Sequence, residues 1–547
     1  MLYSLVPLLI TSLAIFATPH FIRNKKTYPS SVKLASSLAS LLALMLVIAF
    51  PSDTPLPSLF KEDSLSFIFS LLASFIGFIT VIYSTWYVEE NHREFHSAML
   101  LFIASMIGLA ISNNIILLVV CWEVTTTVSF MLIRMKGTEE AVRAANKVWV
   151  INQVGGMALF IGAAYLYLLG IHTLDSFLLS GDMLAASLLV FAAITKSAVF
   201  PFHPWLPSAM EAYSPVSALL HSAAMVMAGM YLLIRITPLL LLSAELRGAV
   251  LLLGLLTILA SSTKAFLEND LKRVLAYSTL TNIGMIATCI AFSSPFSIAA
   301  ALFHIISHAF FKASLFLEAG VFEHSLRTRD IDKLGGAVER LPTTTFFFTL
   351  SSLSAMGVPI TLGFMSKFAM YEATLPIVSL FLLFGTVLAA AYYSCILGHL
   401  LFKAGGTRIH EELTTILSIA PLSLCSVLLA AYPYPIMNLC SNAVQELMKV
   451  EFVFPTLVSP PLLYLSLLLT LGSALALKGR KATVPFRSGE PVRGSPLAPS
   501  SQIYDVRKAA GRVYALIDVE NWYKMTGPVG EFTYKLLSRI QELVEVK

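Results

Sequence analysis

The chain alternates between long apolar stretches and short polar ones, and this alternation determines the elements that we predict. Several apolar stretches reach the roughly 20 residues that an α-helix needs to cross the hydrocarbon core of a bilayer. A spanning segment must satisfy its own backbone polar groups, so the sequence predicts an all-α, polytopic transmembrane helical bundle of about 14–15 spans. The predicted spans are residues 2–22, 31–51, 64–88, 95–111, 113–134, 147–170, 182–209, 216–237, 245–262, 274–293, 296–320, 344–370, 376–402, 411–432 and 457–477.

The composition agrees with membrane lipid as the main solvent of this chain. Hydrophobic residues make up 57% of the 547 residues and charged residues 13%, against about 25% charged residues in a soluble domain. The basic residues Arg23, Lys25 and Lys26 follow the first span instead of preceding it, which is opposite to the order in a cleavable signal peptide. We therefore expect residues 2–22 to be retained as a span.

The distribution of basic residues predicts the orientation in the cell membrane. With the N-terminus outside and the C-terminus inside, most Lys and Arg residues fall on the inner side, as positive-inside orientation requires. The outer loops then contain Lys61, Arg235, Arg247 and Lys449. Lys272 and Arg273, at the inner end of the tenth span, are orientation charges on this basis. The net charge of +5 is explained in the same way, so it does not indicate nucleic-acid binding.

The sequence contains no pattern that is typical of a cofactor or metal site. Its five cysteines lie in apolar surroundings without a C-x-x-C spacing, which argues against an iron–sulfur or zinc framework in this chain. Neither a dinucleotide-binding nor a P-loop motif is present. We therefore expect no cofactor, no metal and no catalytic redox centre in the chain itself.

Ionisable residues inside the predicted spans are the main candidates for function. Such residues cost several kcal/mol in hydrocarbon, so each is a functional hypothesis, although snorkelling or a structural contact is the simpler explanation to weigh against it. Glu123 lies in the middle of the fifth span, far from either end. Lys196 precedes Pro201 and Pro204, which should break the seventh span because proline removes a backbone hydrogen bond. Broken helices are tolerated in membranes where they line a wet or buried cavity.

Histidines extend the set of candidates. His221 lies one to two turns into the eighth span, where a lone histidine is as often a core residue as a proton carrier. His304, His308 and Lys312 follow one another at four-residue steps, which places them in one stripe along a helix. Two histidines at this spacing also suit zinc, but no nearby acid or cysteine completes a tetrahedral set. A hydrated proton relay is the better interpretation.

A second lysine lies beside another disrupted helix. Lys367 follows Pro359 and Gly363, which predict a break in the twelfth span. A snorkelling position near the span end is the alternative explanation for this lysine. Glu318 and His399 are further candidates with weaker support.

Four motifs carry a family resemblance. They are the stretches Thr195–His221, with TKSA, FHPWLP and SPVSALLH; Asp270–Thr279, with DLKRVLAYST; His304–Gly320; and GFMSK at Gly363–Lys367. Together they resemble the antiporter-like subunits of respiratory complex I, the large Mrp-type Na⁺/H⁺ antiporter subunits and membrane-bound hydrogenases. The resemblance covers about residues 60–405, with the motifs in the family's order.

The resemblance implies two inverted five-helix repeats, each with one broken helix. The implied divisions are residues 1–94 for the first three spans, 95–237 and 238–405 for the two repeats, 406–480 for the last spans and 481–547 for an inner tail. In the tail, amphipathic pieces near 503–518 and 527–545 suit either the membrane surface or a partner subunit.

The resemblance also implies a proton or ion path, in which Glu123 pairs with Lys196 and modulates its charge as an electrostatic switch. The implied members of the path are Glu123, Lys196, His221, Lys272, His304, His308, Lys312 and Lys367. Two features depart from the family pattern. Threonines at 125–127 follow Glu123, and Phe368 follows Lys367.

Three functions compete at this stage. The favoured hypothesis is a proton- or Na⁺/H⁺-translocating subunit of a complex I-like redox assembly, such as a membrane-bound hydrogenase or related reductase. This assembly would provide other membrane subunits and soluble iron–sulfur, hydrogenase-like or reductase subunits as partners. The first alternative is an Mrp-type Na⁺/H⁺ antiporter subunit outside any redox complex. The second is a structural membrane scaffold whose buried charges fix helix packing.

Overall fold

The computed structural model describes residues 1–17, 28–49, 56–402 and 406–455, and within these ranges every regular element is a helix. The first helices are α1 (Leu5–Ala17), α2 (Tyr28–Ala49), α3 (Ser64–Tyr87), α4 (His92–Ile111), α5 (Ile115–Arg134) and α6 (Glu139–Leu168). The middle helices are α7 (Leu174–Ser180), α8 (Met183–Lys196), α9 (Trp205–Ser208), α10 (Ser214–Ser222), α11 (Met225–Arg235), α12 (Thr237–Leu240), α13 (Ala244–Leu267) and α14 (Leu271–Phe292). The last are α15 (Pro295–Leu326), α16 (Ala337–Arg340), α17 (Pro342–Met356), α18 (Leu362–Glu372), α19 (Pro376–Phe402), α20 (Leu413–Ala431) and α21 (Tyr434–Met448).

These helices agree with the predicted membrane spans. In the described residues, 11 helical segments are long and apolar enough to cross a membrane, and each coincides with a predicted span. The first and seventh predicted spans correspond to the shorter apolar helices Leu2–Ala17 and Met183–Lys196. The twelfth is divided between α17 and α18. The fifteenth, 457–477, and the amphipathic pieces of the tail lie outside the described residues. The fold class is therefore confirmed as a polytopic helical membrane bundle.

Polar residues begin the helices at the positions where the apolar runs start. The Asp63 carboxylate accepts a hydrogen bond from the backbone N–H of Ser66 at 2.9 Å and so caps α3. The Asn114 side chain accepts from the N–H groups of Ile116 and Leu117 and caps α5. These caps satisfy the N–H groups that a helix leaves without an intrahelical partner. The Asn114 cap explains how α4 and α5 are separate helices although only a few residues lie between them.

The helices at the centre of the bundle carry most of the predicted site. The most apolar windows of Ser214–Arg235, α14 and α15 are 100% buried, whereas those of α2 and α20 are 39% and 33% buried. The predicted residues His221, Lys272, His304, His308 and Lys312 all belong to these central helices. Their side chains are therefore held away from the lipid-facing surface.

Two features of the fold had no clear signal in the sequence. The predicted eighth span is interrupted between α10 and α11, where Ala223 and Ala224 leave helical geometry without a proline. Helix α21 is an additional amphipathic helix after the fourteenth span. Its buried residues include Met437, Cys440 and Val444. It has only 15 residues and carries polar side chains on one face, so its sequence contains no apolar run long enough to predict a span.

Candidate ion-conducting site

Lys196 is the last residue of α8, and its side chain is 1% exposed. Its ammonium group donates hydrogen bonds to the Trp122 carbonyl oxygen at 2.9 Å, Thr125 Oγ1 at 2.7 Å and Thr126 Oγ1 at 2.6 Å. The ammonium nitrogen also lies 4.8 Å from the centroid of the Trp122 ring. These acceptors match the three donors of an ammonium group. Two of the three threonines that depart from the family pattern, Thr125 and Thr126, thus form the binding cradle of the lysine.

Helix α8 ends directly after Lys196, as Pro201 and Pro204 predict. Backbone groups released by the break find new partners nearby. The Trp205 indole N–H donates to the Thr195 carbonyl at 3.1 Å, and the Phe200 N–H donates to Thr257 Oγ1 at 2.9 Å. The break is therefore stabilised by its surroundings, which a buried break inside a membrane requires.

Glu123 lies on the same helix as the cradle, but it does not form the ion pair with Lys196 that the resemblance implies. In the described part of the chain, its Oε2 atom accepts a hydrogen bond from Gln153 Nε2 at 2.9 Å. Its Oε1 atom is buried and has no hydrogen-bond partner there. The cradle already satisfies the ammonium of Lys196, which is the physical reason that direct contact is not needed. The carboxylate is still close enough to interact electrostatically with the lysine.

His304 and Lys312, on α15, are joined through residues of α14. His304 Nε2 lies 2.9 Å from Asn282 Oδ1, and Asn282 Nδ2 donates to the Ser278 carbonyl at 2.6 Å. The Lys312 ammonium donates to Ser278 Oγ, to the Leu275 carbonyl at 3.0 Å and to the Tyr393 hydroxyl at 3.2 Å. The stripe predicted on α15 is thus part of a network that also includes residues of α14 and α19, and its members are not bonded directly to one another.

The other end of this network approaches Lys367. His304 Nδ1 lies 2.9 Å from Ser366 Oγ, next to Lys367 in sequence. The Lys367 ammonium donates to the Ala355 carbonyl at 2.5 Å, near the end of α17. The lysine is 2% exposed, and its hydrogen bond connects α18 to α17 across the break between them. Pro359 lies in this break, and Gly363 N–H donates to Ser354 Oγ at 3.2 Å across it.

His308 connects toward the first half of the chain. Its Nε2 atom donates to the backbone carbonyl of His221 at 3.1 Å, whereas its Nδ1 atom is buried without a partner in the described structure. Both ring nitrogens of His221 are likewise buried without a hydrogen-bond partner among the described residues. Its ring lies 4.6 Å from the ring of Phe316.

Lys272 lies in an ion cluster and is more than an orientation charge. It is 1% exposed and donates to the Ala212 carbonyl at 2.7 Å. Its ammonium lies 3.5 Å from Glu323, which also pairs with Arg329 at 2.7 Å and Lys136 at 3.6 Å. Glu323 was missed in the sequence because it lies near the end of α15, where a carboxylate is ordinary. Only the fold shows that three cations from separate segments converge on it.

Arg235 provides a correction to the predicted loops. It was assigned to an outer loop, but it ends α11 with 1% of its surface exposed. Its guanidinium makes a bidentate pair with Asp63 and donates to Ser66 Oγ at 3.0 Å. In the sequence, a charge near a span end cannot be distinguished from a loop residue. The carboxylate that pairs with Arg235 is 172 residues away.

The two weaker candidates differ in their surroundings. His399 Nε2 lies 3.1 Å from Asp332 Oδ1, and this histidine is 18% exposed. Glu318 is completely buried on α15 and accepts hydrogen bonds from serine side chains of three helices. His399 is thus half-buried, whereas Glu318 lies in the interior.

Comparisons with known proteins identify the family of this chain. Residues 112–396, which contain every member of the predicted path, match the family described as NADH:quinone oxidoreductase/Mrp antiporter, TM. A probable K⁺/H⁺ antiporter subunit of Rhizobium meliloti (strain 1021) is 40% identical over 56% of this chain and 32% of the relative. A Na⁺/H⁺ antiporter subunit of Alkalihalophilus pseudofirmus is 39% identical over 57% of this chain and 42% of the relative. This chain therefore spans less than half the length of these curated relatives.

Solved structures share the fold. The Mrp complex from Dietzia sp. DQ12-45-1b superimposes with a TM-score of 0.76 and 26% identity, over 98% of this chain and 63% of that chain. The membrane-bound sulfane sulfur reductase, an archaeal respiratory membrane complex, gives a TM-score of 0.71 at 22% identity, over 81% of this chain and 96% of that chain. The second likeness concerns the fold alone. The chain is an antiporter-like, multi-pass membrane protein that belongs to the NADH:quinone oxidoreductase/Mrp antiporter transmembrane family.

Proposed function

We propose that this chain conducts protons within an Mrp-type monovalent cation/proton antiporter. The observation that carries the proposal is the placement of Lys196 and Lys367, each almost fully buried beside a broken helix. Two buried cations at two breaks are costly in a membrane, and they are typical of ion pathways. The names of the curated relatives, K⁺/H⁺ and Na⁺/H⁺ antiporter subunits, support this proposal over the redox assembly that we favoured from the sequence.

The proposed path follows the polar network between these lysines. Protons would pass from Lys196 toward His221 and His308, then to Lys312, and through Asn282 and His304 to Lys367. Buried polar atoms without protein partners mark positions where ordered water would sit. Among the residues that the structure describes, the ring nitrogens of His221 and Nδ1 of His308 are such atoms. Lys272 would join the path through its ion cluster with Glu323.

The proposed gate is an electrostatic switch at Lys196. The ammonium form is favoured while its cradle and the nearby Glu123 carboxylate are in place, because acceptors and opposite charge both stabilise it. Movement of Glu123 would remove the opposite charge and release the proton along the path. Gln153 on α6 donates a hydrogen bond to the Glu123 carboxylate. A neighbouring subunit that displaces Gln153 would therefore move Glu123.

Substitution of the two lysines tests this function. We expect Lys196→Ala and Lys367→Ala each to abolish Na⁺-dependent proton flux in membrane vesicles that contain the assembled complex. Lys333→Ala is the control, because that side chain is 72% exposed. Flux at the control level in both buried-lysine variants would refute the proposal and favour the structural scaffold.

A redox assembly is the second candidate function. The matching family includes NADH:quinone oxidoreductase subunits as well as Mrp antiporter subunits, which favours considering it. In that case the chain would be the ion-translocating subunit of a hydrogenase or reductase complex, with soluble iron–sulfur partners. Purification of the native complex decides between the candidates. Iron–sulfur or flavin subunits would support the redox assembly, whereas small membrane subunits alone would support the antiporter.

The wider organisation belongs to the same proposal. We propose other membrane subunits as partners, with the N-terminus outside and the C-terminus inside the cell membrane. The two repeats are proposed to comprise residues 95–237 and 238–405. Cysteines introduced at Lys61 and Arg408 should react with impermeant maleimide from opposite sides of the membrane.

A further inference from the structure

A separate polar cluster surrounds Glu318, away from the path between the lysines. Its Oε1 atom accepts hydrogen bonds from Ser314 Oγ at 2.7 Å, Ser423 Oγ at 2.9 Å and Ser351 Oγ at 3.2 Å. The serines come from α15, α20 and α17, so three helices direct hydroxyl groups at one carboxylate oxygen. The carboxylate and all three serines are completely buried. We call these four residues the Glu318 cluster.

An ionised Glu318 would place an uncompensated negative charge in the cluster. In the part of the chain that the structure describes, Glu318 forms no ion pair, and its Oε2 atom is buried without a hydrogen-bond partner. A buried carboxylate without a counter-charge is strongly unfavourable. Either a proton or a bound cation must therefore neutralise it.

The chemistry of the cluster suits a small, hard cation. Its donors are all oxygen atoms, which such cations prefer over nitrogen and sulfur. Each serine hydroxyl has two acceptor lone pairs and can rotate its hydrogen away from a bound ion. The hydroxyl oxygens of Ser314 and Ser423 are 2.5 Å apart, and those of Ser351 and Ser423 are 3.0 Å apart. These are hydrogen-bonding separations, which a bound ion would have to widen, and a small ion requires the least widening.

We propose that the Glu318 cluster is a Na⁺ site, at which Na⁺ and a proton compete for the same carboxylate. The inference deepens the proposed antiport function and rests on it for the role of Na⁺ as the coupled ion. Binding of Na⁺ would displace the proton from Glu318. The hydroxyl groups would change from donors to the carboxylate into ligands of the ion.

A line of serines connects the cluster to the break at Lys367. Ser426 Oγ donates to the Ser423 carbonyl at 2.7 Å, and Ser354 Oγ lies 3.4 Å from the Ser426 carbonyl. Ser354 precedes Ala355, whose carbonyl accepts from Lys367. Occupancy of the cluster by Na⁺ or by a proton would therefore affect the break that holds the second lysine.

Few titratable groups would compete with this exchange. Tyr83 on α3 and Tyr393 on α19 interact electrostatically with Glu318. Tyr83 donates to the Leu317 carbonyl at 2.9 Å, and Tyr393 is the neighbour of Lys312. Phenols are neutral at physiological pH. The pH dependence of the exchange should therefore be determined by the Glu318 carboxylate itself. The Lys312 ammonium, which is bonded to the Tyr393 hydroxyl, is the cation on that side of the cluster.

Equilibrium binding of radiolabelled sodium tests the inference. The sample is the purified native complex with the full-length chain, without an ion gradient or electron donor, at alkaline and at mildly acidic pH. The variants are Glu318→Gln, Ser423→Ala and the matched control Ser352→Ala. Ser352 is buried on the same helix as Ser351, and its hydroxyl has no partner in the described residues.

Wild type and Ser352→Ala should bind sodium at alkaline pH and release it on acidification. Glu318→Gln should not bind the sodium ion that wild type releases on acidification. Ser423→Ala should bind sodium at least about tenfold more weakly than wild type. If Glu318→Gln does not assemble, Ser423→Ala decides. Unchanged binding in Glu318→Gln or Ser423→Ala, absence of binding in wild type, or equal losses in the two serine variants would overturn the inference.

Lys196→Ala separates this inference from the proposed function. That variant should lose ion flux but keep sodium binding at the Glu318 cluster. Retained flux in Lys196→Ala would refute the conduction proposal and leave Glu318-dependent binding intact. Lost flux in Lys196→Ala without sodium binding in wild type would refute only the Na⁺ site.

Discussion

The ammonium of Lys196 is bound to the helical turn that carries Glu123, and not to the Glu123 carboxylate itself. Trp122 on one side of Glu123 and Thr125 on the other supply acceptors for the lysine, whereas the carboxylate turns to Gln153 on α6. The lysine and the acid are thus controlled by separate contacts. This arrangement allows the acid to move while the lysine keeps its position, which is what a switch requires.

The threonine cradle should be necessary for flux. We expect Thr125→Val combined with Thr126→Val to lower Na⁺-dependent proton flux at least about tenfold, because a hydrogen bond to a charged group contributes about 1.5–3 kcal/mol. The measurement is acridine-dye quenching in vesicles. Thr127→Val is the control, since Thr127 is exposed and lies outside the cradle. Equal flux in the double variant and the control would contradict the role of the cradle.

The position of the Glu123 carboxylate can be tested sterically. A Cβ atom at Gly156 would collide with Glu123 Oε1, so Gly156→Ala should displace the carboxylate without changing any charge. We expect vesicle flux to fall about tenfold, the effect of about 1.4 kcal/mol on a barrier. Gly248→Ala provides the control, because nothing lies within 4 Å of its added Cβ. Normal flux in Gly156→Ala would show that the exact position of Glu123 is unimportant.

Lysines at helix breaks could be recognised from the sequence because both signals are local. Lys196 precedes Pro201 within a few residues, and Lys367 follows Pro359 and Gly363, so the charge and the break appear in one stretch. The same holds for the helices, since an apolar run of sufficient length identifies a span. The interruption beside His221 was missed because alanines occupy it.

The partners of the predicted residues could not be recognised, because they are distant in sequence. His304 contacts Asn282 and Ser366, which are 22 and 62 residues away. Neither carries a charge, so neither stands out in an apolar span. Glu323 is charged, but its position near a helix end conceals its role. Membrane position can be deduced from composition, whereas pairing depends on how the helices pack.

Asn282 should connect Lys312 with Lys367 in the proposed path. Asn282→Leu removes both the acceptor for His304 and the donor to the Ser278 carbonyl, and we expect flux to fall at least about tenfold. Thr288→Val on the same helix is the matched control, because the buried Thr288 hydroxyl has no partner in the described residues. Flux assays in vesicles, with assembly checked by co-purification, measure the effect. A larger loss in Thr288→Val than in Asn282→Leu would argue against the relay.

The Arg235–Asp63 pair should stabilise the fold rather than the path. Asp63→Asn leaves a guanidinium that is 1% exposed without its counter-charge, and loss of one partner from a buried pair costs about 3–5 kcal/mol. We expect a lower melting temperature of the detergent-solubilised complex. Asp175→Asn is the control, because Asp175 is 49% exposed in its pair with Lys61 and such pairs contribute little.

The pH dependence of this stabilisation follows from the pKa of Asp63. Burial alone would raise that pKa, but the charge of Arg235 and hydrogen bonds from Arg235 and Ser66 outweigh it and hold the pKa well below its ordinary value. A carboxyl group with a depressed folded-state pKa stabilises the fold above its unfolded pKa, and loses this contribution only as the pH falls through the folded value. The difference in melting temperature between wild type and Asp63→Asn should therefore stay constant from neutral to mildly acidic pH. A difference that disappears on mild acidification would mean that Arg235 does not hold Asp63 ionised.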